Sequence, residues 1–199
     1  MLVKKLILAS QSPRRAEILK SAGFLFSILP TYVSETPDEN LSLDQQILKI
    51  AVDKARAAQS TITDQSLDAV VLSADTMVCI GNKPIGKPVD VADAQNTLRQ
   101  LSGIEHQVKT GVVLLDLRSK KLISHIETTN VKFRTLSDQE IFDYVATGEP
   151  MDKAGSYGIQ GIGKKFIAAI DGDYNNVVGL PIKKVQELLE ANKWQIITS

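Results

Sequence analysis

The run Ala69–Ile80 (AVVLSADTMVCI) constrains the fold more than any other stretch, because it is long enough and apolar enough to be buried on both faces. A segment of that kind belongs at the centre of a helix-covered sheet. Asp75 and Thr76 interrupt it. A carboxylate in such surroundings loses its hydration unless it is paired, so Asp75 either faces a site or meets a cation. A hard divalent cation would resolve the conflict, since it prefers carboxylate oxygen and accompanies phosphate.

The second constraint lies near the N-terminus. Leu6 to Ala9 reads as a short buried strand, followed by the polar turn Ser10-Gln11-Ser12 and a helix over 13–22 that stops at Gly23. Ser12 is expected to cap that helix through its hydroxyl, and Pro13 suits the first position because its missing N–H has no partner there anyway. Ile18, Leu19 and Ala22 are expected to face inward. Arg14 and Arg15 then fall in the first turn, where their charge has the wrong sign for the helix dipole. Either both are solvated, or an anion sits in front of them. Amides, Ser hydroxyls and guanidinium groups converging there would suit a polyphosphate or polycarboxylate.

Composition narrows the function classes. The 199 residues suffice for one sizeable core, and with no repeat or linker a single domain over 1–199 is expected. The formal charge is zero, which disfavours general attraction to nucleic acid or anionic lipid, so any positive field must be local. The lone cysteine, Cys79, excludes an internal disulfide, fits a reducing compartment and lies in an apolar run as a core residue. No segment reaches membrane-spanning length, and the apolar stretch near the N-terminus is too short for a signal-peptide core, so a cytoplasmic location is the simplest expectation.

Along the rest of the chain, 24–29 reads as a strand and 30–40 as a loop carrying Glu35, whose plain reading is surface solvation. Residues 41–58 have helical periodicity, with Leu43, Ile47, Ile50 and Ala51 on one stripe that Lys54 continues. Lys54 either snorkels to water or points its ammonium to the cleft of Arg14 and Arg15. Gly81-Asn82 is a turn and 83–88 a rigid loop; its Lys87 is either solvated or a fixed phosphate contact. Asp90 caps a helix to Leu101 whose inner residues are Ala94, Leu98 and Leu101. Antiparallel strands follow over 108–117 and 122–133. His106 and His125 lack metal-ligand spacing and are read as structural or exposed. Ser137 to Glu140 is a capping box opening a helix that ends near Gly148.

Four glycines crowd into nine residues, Gly155, Gly158, Gly161 and Gly163. They permit positive φ and close backbone approach, as a loop around a flat ligand requires, but in neither dinucleotide-fold nor phosphate-loop spacing. Gln160 within it is either a turn residue or, through its amide donor and acceptor, a reader of a base edge. Residues 166–170, an Asp171-Gly172 turn, residues 174–178 and a helix over 181–191 complete the chain.

SQSPRR at 10–15, ADT at 74–76, GKP at 86–88, DKAGSYGIQG at 152–161 and NVVGLPI at 176–182 together resemble the Maf family of nucleotide pyrophosphatases. The resemblance covers essentially the whole chain. It implies an elongated α/β fold with a mixed central sheet, flanking helices and a cleft between two lobes, related to the inosine triphosphate pyrophosphatases. It implies hydrolysis of a nucleoside triphosphate to the monophosphate and pyrophosphate with Mg²⁺ or Mn²⁺. YGIQG at 157–161 resembles the branch acting on dTTP and UTP rather than the branch acting on 7-methyl-GTP. Asp75 is then the acidic catalytic residue and, with Glu35, a metal ligand. Arg14, Thr76 and Gln160 occupy specificity positions. Ser10, Arg15, Lys54 and Lys87 complete the substrate-binding set. Ser73 departs from the family pattern, which has glycine before Ala-Asp.

Phosphoanhydride hydrolysis explains these residue types: an acid to aim or deprotonate water, cations to neutralise a polyanion, and polar groups to read a pyrimidine. Asp152 and Lys153 would help to close the cleft, as a lid or through an ion pair. Two alternatives stand beside this reading: the same chemistry on another nucleotide such as 7-methyl-GTP, and a non-enzymatic nucleotide-sensing regulator of septum formation. The resemblance leaves a homodimer open, for which no exposed apolar stripe argues.

Overall fold

The computed structural model describes residues 3–198 apart from Pro37, Glu39 and Gln65. Strand β1 (Lys5–Leu8) leads into helix α1 (Pro13–Ser21), strand β2 (Phe26–Ile28), helix α2 (Leu43–Thr61) and strand β3 (Ala69–Ile80). A short β4 (Lys83–Ile85) and α3 (Val91–Leu101) precede the long strands β5 (Glu105–Asp116) and β6 (Leu122–Phe133). Helix α4 (Asp138–Ala146), three 3₁₀ turns, β7 (Ile167–Asp171), α5 (Tyr174–Val178) and α6 (Ile182–Ala191) end the order. The strands form one seven-stranded sheet in the order β2-β1-β3-β5-β6-β7, with β4 paired to β3. β1 runs parallel to both β2 and β3, while β4 and β7 pair antiparallel with β3 and β6. The mixed α/β class is as expected. Among the described residues, no helix is long and apolar enough to cross a membrane.

Contacts divide the chain into two compact units. The first comprises Met1–Asp75, Thr110–Glu127 and Gly179–Ser199. Its core sets Ala51, Ala55 and Ala58 of α2 against Ile7, Val71, Val113 and Leu115 from β1, β3 and β5. Alanines on the inner face let the helix lie close to the strands. The approach is close enough that a Cβ at Gly111 would stand 2.8 Å from Ile47 Cγ2 and 3.2 Å from the Ile47 carbonyl oxygen. Ser42 and Gln45 form a capping box at the start of α2, which begins two residues beyond the expected start.

The second unit comprises Thr76–Lys109 and Thr128–Val178. Its core gathers Leu98 and Leu101 of α3, Ile141 and Tyr144 of α4, and the aromatic rings of Phe133, Tyr157 and Phe166. Phe133 and Tyr157 meet edge to face at 4.7 Å, and Tyr144 meets Phe166 likewise at 4.9 Å. His106 lies buried in this cluster with Nε2 2.8 Å from Tyr157 Oη.

Several local expectations are corrected. Ser12 occupies the N-cap position of α1 but makes no side-chain capping bond. Instead the Ser12 amide donates to Ser10 Oγ at 3.2 Å, so the earlier serine supplies the acceptor. Residues 83–85 are a strand rather than loop, because Lys83 and Ile85 fold back onto Ile80 and Val78. The strand expected over 24–29 contracts to Phe26–Ile28, and β5 begins three residues before Val108. Of the four glycines in the loop, only Gly155 has positive φ, at 72°.

Candidate functional site

In the first unit the turn after β1 is drawn together by Arg15. Its guanidinium is buried and donates through Nη1 to Ser10 Oγ at 3.0 Å and through Nε to the Gly179 carbonyl at 2.8 Å. Burial draws its pKa down from the ordinary arginine value, while Asp75 and Glu35 pull the other way. A guanidinium remains protonated there. Arg14, one residue earlier on the same turn, is half-buried.

Lys54 lies on the inner stripe of α2, one helical turn beyond Ile50 and Ala51, and does not reach out to water. Its Nζ lies 2.7 Å from Asp75 Oδ1 and 2.7 Å from Glu35 Oε1. The side chains of Lys54 and Asp75 are only 12% and 11% exposed, whereas Glu35 is 58% exposed. The acid buried in the apolar strand is therefore paired with a cation, one of the two resolutions that its position demands. Beside the pair, Ser73 Oγ donates to the Ala51 carbonyl at 2.6 Å and ties β3 to α2. A glycine at 73 could not make that bond.

One oxygen of each carboxylate, Asp75 Oδ1 and Glu35 Oε1, meets the Lys54 ammonium. Among the described residues, no group of three or more His, Cys, Asp or Glu side chains is placed to hold a metal ion. Two carboxylates with further oxygens from phosphate and water are nevertheless a donor set that suits Mg²⁺ or Mn²⁺. Glu35 and Asp75 fit that role.

In the second unit Thr76 follows Asp75 on β3, half-buried, and side-chain alternation turns it to the opposite face of the strand. Lys87 is exposed in the loop after β4, whose Gly86 carbonyl accepts from the Gly155 amide at 3.1 Å. Gln160 is exposed, between buried Ile159 and exposed Gly161. Lys153 donates to Asp152 Oδ1 at 2.6 Å and to the Glu149 carbonyl at 2.7 Å.

The glycine loop closes on a carboxylate of the protein itself. Glu149 Oε2 accepts from the Ile162 amide at 2.8 Å, and Oε1 accepts from the Gly163 amide at 3.2 Å and from Tyr144 Oη at 2.9 Å. A Cβ at Gly161 would overlap that carboxylate as it stands, so a side chain there would displace it. Burial pushes the Glu149 pKa up, but the two amides, Tyr144 and Lys153 outweigh it and hold the pKa below the ordinary value.

A family model described as Maf-like protein matches residues 5–192 of this chain. The chain belongs to the Maf-like family. Similar proteins carry the name dTTP/UTP pyrophosphatase. One from Bdellovibrio bacteriovorus is 52% identical over 185 residues, covering 92% of this chain and 96% of the relative. One from Bacillus pumilus is 47% identical, covering 94% and 96%. One from Pelotomaculum thermopropionicum is 41% identical, covering 98% and 100%.

For this Maf-like chain the residue reading singled out Glu35, Lys54 and Asp75 separately, and the fold brings their charged atoms together. It likewise joins Ser10 to Arg15. Tyr144 and Glu149 were missed. The glycine spacing signals that something approaches the backbone closely, but no side-chain pattern names the group that does so, because its partners are amides.

Proposed function

We propose that the protein hydrolyses dTTP and UTP to the monophosphate and pyrophosphate. The observation that carries this reading is the Asp75–Lys54–Glu35 cluster, built on the family motif ADT in the middle of its buried strand. The names of the similar proteins support the substrate class.

Asp75, as a carboxylate, accepts a hydrogen bond from the attacking water and aims or deprotonates it. Lys54 uses two of its three N–H donors on Glu35 and Asp75, which leaves the third for a phosphate oxygen. Arg14, Arg15 and Lys87 add positive charge for the polyphosphate, and the Ser10 hydroxyl, fixed by Arg15, adds a polar contact. A divalent cation held by Glu35 and Asp75 would supply charge neutralisation at the phosphates and acidify water. Thr76 and Gln160 meet the carbonyl and imide edge of the pyrimidine. A base lacking that edge leaves their polar atoms unpaired. A cytoplasmic location, where nucleoside triphosphates are made, fits this activity.

The test is pyrophosphate release with Mg²⁺ or Mn²⁺ from dTTP, UTP, CTP, the purine triphosphates and 7-methyl-GTP. The expected result is that dTTP and UTP lead, that Asp75→Asn lowers turnover by roughly 10²–10⁴-fold, and that Gln160→Ala blurs the preference. A folded wild type that turns over none of these with metal present would make the cluster a binding site instead.

A further inference from the structure

Tyr144 and Glu149 together fasten both shoulders of the loop whose tip is Gln160. On the leading side the Gly158 amide donates to Tyr144 Oη at 3.3 Å; on the trailing side the Ile162 and Gly163 amides donate to Glu149. The phenol and the carboxylate are themselves joined at 2.9 Å. The clamp is thus continuous from residue 158 to residue 163. The Tyr144 ring packs edge to face against Phe166, and Ile159, next to Gln160 in the chain, is buried. A Cβ at 158, 161 or 163 would press on Lys153, the Glu149 carboxylate or Tyr144 Oη as they now stand.

An acidic side chain bridged by two backbone amides occupies the place that an anionic ligand takes in other glycine-rich loops. This loop therefore offers its amides to Glu149 rather than to a phosphate. What it presents outward is the Gln160 amide. From this the geometry points to Glu149, with Tyr144, as the positioning residue for pyrimidine selectivity: it holds the Gln160 loop in one conformation without touching the nucleotide. The selectivity role rests on the functional reading above; the tether itself does not.

A glutamine at 149 keeps the shape but replaces one acceptor with an NH₂ that faces an N–H donor. Glu149→Gln is expected to speed exchange of the Ile162 and Gly163 amides about 10-fold or more. It should also lower the ratio of kcat/KM for UTP over CTP about 10-fold, mainly through KM, with kcat changed less than about 2-fold. In a Gln160→Ala background the same change should alter the ratio by less than about 2-fold, because the group being positioned is gone. Tyr144→Phe keeps the ring packing and should give an intermediate loss, so a Glu149→Gln chain that fails to fold leaves this variant to decide. Unchanged amide exchange overturns the tether. A ratio that is unchanged, or that falls as far without Gln160, overturns the selectivity role. A wild type that releases no pyrophosphate from any nucleotide overturns the functional reading and the selectivity role with it, while the exchange measurement still decides whether Glu149 holds the loop.

Discussion

Lys54 carries more of the site than any other single side chain. Its ammonium neutralises Asp75, which sits in a largely apolar strand, and holds Glu35 from the loop beyond β2. Replacing it by methionine leaves a largely buried carboxylate without its nearest cation, a change that ordinarily costs a few kcal/mol. Arg15 lies near enough to compensate in part. Lys54→Met should therefore lower unfolding free energy by about 2–3 kcal/mol, read from the urea midpoint at constant slope. Adding Asp75→Asn should recover part of that loss, since the unpaired charge is then removed, and a double variant less stable than the sum of the singles would overturn this account. Lys54 could be suspected from its place on the α2 stripe, and Asp75 from its place in an apolar run. That they pair could not be read, because both partners lie far apart along the chain.

At the scale of elements, the distance between α2 and the strands beneath it is set by small residues. Gly111 admits the Ile47 turn of the helix, and Ala51, Ala55 and Ala58 continue the contact. Gly111→Ala forces Ile47 and its backbone to move, and overpacking of this kind should destabilise the fold by about 1–3 kcal/mol, measurable as a lower melting temperature. Because α2 carries Lys54, the same variant should also weaken turnover. Elements with a strong period or a continuous apolar run were legible: β3 and β6 match their expected limits residue for residue, and α3 runs from its Asp90 cap to the expected Leu101. β4 was not, since a three-residue Lys-Pro-Ile segment has no pattern of its own and becomes a strand only because β3 offers it an edge. The glycine loop was legible as a place of close approach, yet its occupant, Glu149, looks in sequence like any surface acid.

For the whole molecule, buried ionisable groups set how stability responds to pH. His106 is surrounded by Phe133 and Tyr157, and burial lowers its pKa from 6.5 to about 4. The unfolded chain takes up this proton at higher pH than the folded one, so the stability is complete above 6.5 and declines as the pH falls toward 4. The loss should reach about 3 kcal/mol at the low end of that window. Unfolding followed from pH 7 to 4 should show that slope, and His106→Phe should flatten it; an unchanged slope would place the titration elsewhere. By itself the sequence determined the mixed α/β class, the central buried strand, most helices and the residue types of a phosphoanhydride site, because each of these is written in local periodicity, capping and motif. The tertiary structure alone decided that Lys54 stands between two carboxylates, that Arg15 fastens Ser10 to the Gly179 carbonyl, and that Glu149 closes the glycine loop. Most of those contacts join groups distant in the chain, and several are with backbone amides and carbonyls that every residue possesses, so no local pattern can specify them.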